Sequence, residues 1–213
     1  MKIESASLKA PPGLRELLIN LGSGENGFMG TPVHTGESTI EQYLHHCWEM
    51  QDLKKLPTGY VPQTVYWILD SDGIAIGMVR LRHYLNEKLR VHGGHIGFFI
   101  HRDHRGKGYA TEALRLSLLE FKRLGEKRAL LTVDPHNIPS IKVIEKNGGR
   151  FEDVSIDPEA GKKINRYWIE IIACRRSPNA AAWSVTLCTN GNMNERKNIR
   201  TNTQETFLVL GYF

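Results

Sequence analysis

The chain has 213 residues, of which 40% are hydrophobic and 24% charged, and its formal net charge is +5. This composition is typical of a globular protein, and no apolar run is long enough to predict a transmembrane helix. The first residues lack the apolar segment of a signal peptide, so we expect a cytoplasmic protein without a membrane partner.

The first half of the chain predicts a strand, two helices and an antiparallel hairpin. A glycine-rich loop is expected over residues 22–36, and a polar loop over residues 86–94. Ser38 followed by Glu41 indicates a capping box at the start of the second helix. In chain order, the regular elements are expected over residues 2–7, 14–21, 38–53, 65–69 and 74–82.

The second half begins with an apolar strand that leads into a glycine-rich segment and then into an amphipathic helix. Lys122 and Arg123 close that helix before Gly125, as the helix dipole favours. A further strand, a short helix and a final hairpin follow. These elements are expected over residues 94–100, 111–121, 129–133, 140–146, 151–156 and 165–174.

The last part of the chain differs in charge. Residues 175–213 carry five basic and two acidic residues, a net charge of +3, which leaves +2 for residues 1–174. The nearly balanced main body does not predict a nucleic-acid partner. We therefore expect a domain over 1–174 and a basic extension over 175–213. The extension's strand-like segments leave a hairpin open, but we favour a poorly packed segment without a catalytic role.

The glycine-rich segment Arg105–Ala110 (RGKGYA) predicts an anion site. It lies where a strand ends and a helix begins, so its backbone N–H groups and the positive end of the helix dipole suit a polyphosphate. A P-loop needs Ser or Thr after Gly-Lys, but Gly108 follows Lys107. The dinucleotide fingerprint needs a final glycine, but Thr111 stands there.

This segment resembles the acyl-coenzyme A loop of the GNAT N-acetyltransferases, whose pattern is Gln/Arg-x-x-Gly-x-Gly/Ala. A second family segment, Asn-x-x-Ser/Ala followed by Glu-Lys-x-Gly, resembles residues 137–140 and 145–148. The two motifs stand in the family's order and spacing. The resemblance covers residues 60–172 well, the amino-terminal helices loosely and the extension not at all.

The resemblance implies an α/β fold: a mixed, mostly antiparallel sheet flanked by helices and splayed between the fourth and fifth strands. It also implies transfer of an acetyl group from acetyl-CoA to a primary amine of a small molecule or peptide. An acyl-CoA sensor without catalysis is the alternative, and a homodimer stays open. The coenzyme-binding positions it implies are Phe98, Phe99, Ile100, Arg105, Gly106, Lys107, Gly108, Tyr109, Ala110, Asn137 and Ser140.

The catalytic residues are less well indicated. Many family members carry a glutamate where His95 stands, so His95 is the candidate base that takes the proton of the amine. His83 and Tyr84 are the next candidates. The family commonly has a tyrosine acid where this chain has Ile144. Either the thiolate leaves without that acid, or another group such as Tyr109 or water protonates it.

No metal is expected. The three cysteines form no Cys-x-x-Cys pair, which predicts free thiols, and the histidines show no HExxH motif. Pairs of histidines three residues apart fit a solvated or coenzyme-facing role better than a metal site. On the acceptor side, residues 25–28 fall in a region that shapes the acceptor site in the family. The aromatic residues Tyr66, Trp67, Tyr84 and Trp168 are pocket candidates, though core positions are the more common role.

Overall fold

Two antiparallel β-sheets meet at one edge in the computed structural model, which describes residues 1–157 and 161–171. The strands are β1 (Lys2–Ser5), β2 (Gly24–Glu25), β3 (Phe28–Met29), β4 (Gln63–Leu69), β5 (Ala75–Arg82), β6 (Ile96–Ile100), β7 (Arg128–Val133), β8 (Arg150–Ile156) and β9 (Lys163–Glu170). The helices are α1 (Leu14–Leu21), α2 (Ile40–Glu49), α3 (Glu87–Val91), α4 (Tyr109–Arg123) and α5 (Ile138–Lys146).

The first sheet has the order β1-β4-β5-β6, and the second has the order β7-β9-β8. Strands β2 and β3 form a separate small hairpin. Helix α4 connects β6 to β7, the two strands at which the sheets meet. These features confirm the predicted α/β fold with helices flanking a mostly antiparallel sheet, and they place the junction of the sheets between the fourth and fifth strands of the family's scheme.

Helices cover the two faces of the first sheet and so build two cores. On one face α4 presents Leu114, Leu118 and Phe121, which are fully buried and spaced four and three residues apart along the helix. On the other face α1 and α2 pack against Trp67 and Met78. This layering anchors the start of α4 at the end of β6, where the glycine-rich segment lies.

Three features of the structure differ from the sequence prediction, apart from shifts of one to four residues at the ends of elements. The capping box is formed by Thr39 and Gln42, not by Ser38 and Glu41, so α2 begins at Ile40. The polar loop contains α3, which Asn86 caps. The glycine-rich loop contains the β2–β3 hairpin. The extension over 175–213, which includes Cys188, lies outside the described residues, and so does Cys174.

Candidate functional site

The residue pair His95 and Leu130 closes one end of the junction between the two sheets. The backbone N–H of His95 donates to the carbonyl of Leu130 at 2.7 Å, and the N–H of Leu130 donates to the imidazole Nδ1 of His95 at 2.8 Å. Among the described residues, no other backbone hydrogen bond joins β6 to β7. The two strands therefore part beyond His95 and leave a slot between them.

Every second residue of β6 directs its main-chain N–H and C=O groups towards this slot. The N–H of Arg82 donates to the carbonyl of His95, and the N–H of His101 donates to the carbonyl of Ile76, so odd-numbered residues of this stretch bond to β5. Because an antiparallel ladder alternates, the main-chain groups of Phe98 and Ile100 point away from β5. The slot is thus lined by peptide groups that can bind an extended ligand with amide groups.

Phe99 differs from its two neighbours. It pairs with Met78 of β5, and its ring packs in the core on the α1–α2 side, 5% exposed. Of the three strand positions predicted to bind coenzyme, the structure therefore directs the main chain of Phe98 and Ile100 into the slot and that of Phe99 into the sheet. The carbonyl of Ile100 already accepts a hydrogen bond from Arg105 Nε at 3.0 Å.

The geometry of His95 argues against the predicted base role. Its side chain is buried against Phe121 and Trp168, with ring centroids 4.8 and 6.3 Å away. Burial lowers the pKa of His95 from 6.5 to about 4. Since Nδ1 accepts from Leu130, the proton of the neutral ring resides on Nε2, and the ring has no lone pair left for an amine.

The glycine-rich segment forms an open cradle at the start of α4. Gly106 and Gly108 have φ values of 76° and 82°, and a Cβ built on either one meets no atom within 4 Å. No described group accepts a hydrogen bond from the N–H of Gly106, Lys107 or Gly108, and the first helical bond is Glu112 N–H to Gly108 C=O. The first amides of α4, including those of Tyr109 and Ala110, are also unpaired.

The basic side chains of the cradle are engaged with the protein. Arg105 forms a bidentate ion pair with Glu25, with N–O distances of 2.9 and 2.7 Å. Lys107 Nζ donates to the carbonyl of Asp103 at 3.0 Å. The cradle therefore presents mainly backbone donors to an anion, together with the dipole of a 15-residue helix.

The second motif lies at the start of α5. Asn137 caps the helix, and its Oδ1 accepts the N–H of Ser140 at 3.2 Å. Ile144 is 2% exposed in the core, so the position of the family's tyrosine offers no acid. Tyr109 opens α4 with its ring centroid 6.4 Å from that of His104, which places it at the cradle rather than along β6.

The other candidates do not gather into one site. Trp67 is buried in the α1–α2 core, whereas Tyr66 packs against the α4 side of the sheet. Tyr84 is 42% exposed. His83 bonds Thr64 at 2.9 Å between Nε2 and Oγ1, and burial lowers its pKa.

The described part of the chain contains neither a metal-binding cluster nor a membrane-spanning helix. No group of three His, Cys, Asp or Glu side chains is placed to hold a metal ion there. No described helix is long and apolar enough to cross a membrane.

Two residues of the site escaped prediction. Leu130 forms the closed end of the slot through its main chain, which no side-chain pattern indicates. Glu25 was named only as part of a loop, although it pairs with an arginine 80 positions away. Neither partner could be found from sequence spacing, because the fold alone brings them together.

Known proteins share this fold and its sequence features. Residues 18–150 match the family model described as an acetyltransferase (GNAT) domain. The chain is 35% identical over 99 residues to the probable N-acetyltransferase YjcK of Bacillus subtilis, an alignment that covers 46% of this chain and 52% of that protein. The chain spans about half the length of the curated relatives it matches.

Solved structures show the same fold at low identity. The ribosomal-protein-S5-alanine acetyltransferase of Vibrio fischeri matches with a TM-score of 0.59 and 17% identity, over 79% of this chain and 91% of that one. The protein yncA of Salmonella typhimurium, solved with its cofactor acetyl-CoA, matches with a TM-score of 0.54 and 14% identity, over 84% and 98% of the two chains.

Proposed function

Because this chain belongs to the GNAT acetyltransferase family, we propose that it transfers an acetyl group from acetyl-CoA to a primary amine. The observation that carries this proposal is the combination of a cradle of unpaired amides with a slot between β6 and β7. Both features end at the same point of the fold, the carboxyl end of β6.

The residues present fit the parts of acetyl-CoA. A pyrophosphate needs hydrogen-bond donors and positive potential, which the amides of Gly106–Ala110 and the α4 dipole supply. The pantetheine arm carries two amide groups, which suit the free main-chain groups of Phe98 and those at the end of β6. Gly108 itself belongs to the cradle, and its φ of 82° is one that a residue with a Cβ adopts only with strain.

The bound thioester supplies an activated acetyl carbonyl. The neutral amine attacks the carbonyl carbon, a carbon–nitrogen bond forms, and the carbon–sulfur bond breaks. The amine gives up one proton, and the leaving thiolate takes one up. With the Nδ1 lone pair of His95 used by Leu130 and the Ile144 side chain buried and apolar, we assign these proton transfers to water in the slot rather than to either residue.

We further propose that His95 acts as a positioning residue. Its two hydrogen bonds to Leu130 fix where the strands begin to part and therefore where the slot ends. An imidazole buried on the α4 side of the sheet serves this purpose without touching the substrate.

The test is release of free thiol from acetyl-CoA across a panel of primary amines, including polyamines, amino acids and peptides with free amino termini. The proposal predicts saturable release that depends on at least one amine and yields the N-acetylated product by mass spectrometry. Acetyl-CoA binding without turnover on any amine would favour the sensor alternative. Absence of binding would contradict both.

A further inference from the structure

The small hairpin of residues 22–30, here called the glycine hairpin, has a closely packed backbone. Its turn runs through Asn26 and Gly27, with φ values of 50° and 84°. At its base, a Cβ on Gly30 would lie 2.0 Å from the carbonyl oxygen of Gly22. The two ends of the hairpin therefore lie against each other, joined by a hydrogen bond from the Gly30 N–H to the Ser23 carbonyl at 2.9 Å.

One strand of the glycine hairpin is tied to the cradle. Glu25 accepts two hydrogen bonds from the Arg105 guanidinium, and Arg105 Nε donates to the carbonyl of Ile100. Each of the three guanidinium nitrogens therefore has a protein partner. The Arg105 hydrogen bonds hold the pKa of Glu25 below its usual value, so the pair is ionised at neutral pH.

The other strand of the glycine hairpin covers the middle of β6. The Phe28 ring lies so close to Gly97 that an added Cβ would approach it to 3.3 Å. The same ring stacks on Phe99 at 6.1 Å and receives the guanidinium of Arg80 at 4.5 Å. The glycine hairpin therefore touches β6 both at its middle and, through Arg105, at its end.

We propose that Glu25 and Arg105 are positioning residues that couple the glycine hairpin to the coenzyme. This inference rests on the proposed acetyl transfer. An anion bound in the cradle restricts the motion of the backbone on either side of Arg105. Through the bidentate ion pair with Glu25, it also restricts the motion of the glycine hairpin. The hairpin then forms a fixed wall over Gly97, on the face of β6 opposite α4. Because coupling is reciprocal, an ordered glycine hairpin also strengthens coenzyme binding.

The test is amide hydrogen exchange of residues 23–30 with and without saturating coenzyme A. In the wild-type protein we expect coenzyme A to slow this exchange by up to about fivefold, the largest effect expected for an exposed ion pair. In Glu25→Gln we expect coenzyme A to bind and the slowing to disappear.

The matched control is Glu112→Gln, which removes a bidentate pair with Arg115 of similar exposure on α4. It should keep the coenzyme-dependent slowing. The double variant Glu25→Gln/Arg105→Gln should behave like Glu25→Gln if the two residues act through each other.

Coenzyme-dependent slowing that persists in Glu25→Gln would overturn the coupling and leave the proposed acetyl transfer intact. The same holds if saturating coenzyme A leaves the wild-type exchange unchanged. Absence of coenzyme A binding to the wild-type protein would contradict the proposed function, and the coupling with it. Thermal unfolding of each variant separates these outcomes from loss of the fold.

Discussion

His95 satisfies both main-chain groups of Leu130, one with its own N–H and the other with its imidazole Nδ1. The bond lengths of 2.7 and 2.8 Å are those of well-formed hydrogen bonds. Gly94 precedes His95 with a φ of 59°, and a Cβ there would lie 2.6 Å from the Leu130 carbonyl oxygen. The two sheets are therefore joined closely at this end and are free to separate towards the cradle.

Two substitutions of His95 distinguish a positioning role from a base role. One supplies another hydrogen-bond acceptor in place of Nδ1, and the other supplies none. In His95→Asn the side-chain oxygen takes the place of Nδ1, whereas His95→Leu keeps similar volume but leaves the Leu130 N–H unpaired. We expect His95→Leu to lose about 1–3 kcal/mol of unfolding free energy and to weaken coenzyme A binding. Chemical denaturation and calorimetric titration measure the two effects.

Under the positioning role, His95→Asn keeps its turnover within about threefold of wild type, because no proton passes through the ring. The pH–rate profile of His95→Asn is then the same as that of the wild type. A large loss of turnover in His95→Asn, with unchanged coenzyme A affinity and a displaced pH–rate profile, would instead establish the base role.

The low pKa of His95 predicts a pH-dependent loss of stability. Because its pKa is about 4 in the folded protein and 6.5 in the unfolded chain, the unfolded chain binds the proton more strongly. The stability that the neutral ring contributes to the folded protein is fully present above pH 6.5 and is lost as the pH falls towards 4. This pKa difference corresponds to about 3 kcal/mol of unfolding free energy.

The measurement is the unfolding free energy of the wild type and of His95→Asn between pH 4 and 7. The wild type should lose more stability over this interval, since the other titrating groups are common to both proteins. Parallel curves would show that the ring does not titrate as its burial implies.

Gly108→Val should abolish coenzyme binding through the cradle. Valine is strained at the φ of 82° that Gly108 adopts, and relief of that strain would displace the backbone amides of the cradle. Gly73→Val is the matched control, because Gly73 has a φ of 80° and equally open surroundings in the β4–β5 turn.

Both variants should lose about 1–3 kcal/mol of stability from backbone strain. Only Gly108→Val should lose coenzyme A affinity in calorimetric titration. Equal affinity in the two variants would refute the cradle.

Restoring the family's tyrosine should not raise activity. Ile144 is buried, and a Cβ on Gly149 would lie 2.3 Å from its side chain, so the site has no room for a phenol. We expect Ile144→Tyr to lose about 1–3 kcal/mol by overpacking. Faster thiol release by a stably folded Ile144→Tyr protein would show that the tyrosine reaches the thioester after all.

The sequence predicted the helices and strands where hydrophobic spacing is strong, as in α4, and where glycines mark a boundary, as at Gly106 and Gly108. It failed where two adjacent residues can both cap a helix, as with Ser38 and Thr39 at the start of α2. For His95 the sequence and the structure point to different roles. Its motif position implies a base, but the burial and the bond to Leu130 that remove the lone pair depend on a strand 35 residues away.

The most direct test of the proposed coenzyme site is a titration of isotope-labelled protein with acetyl-CoA, followed by the amide resonances in two-dimensional NMR. We predict saturable shifts for the amides of Gly106 to Ala110 and of Phe98, and no shift for Gly125, which lies beyond the far end of the 15-residue helix α4. Saturable binding that leaves the cradle amides unchanged, or the absence of any binding, would contradict the account.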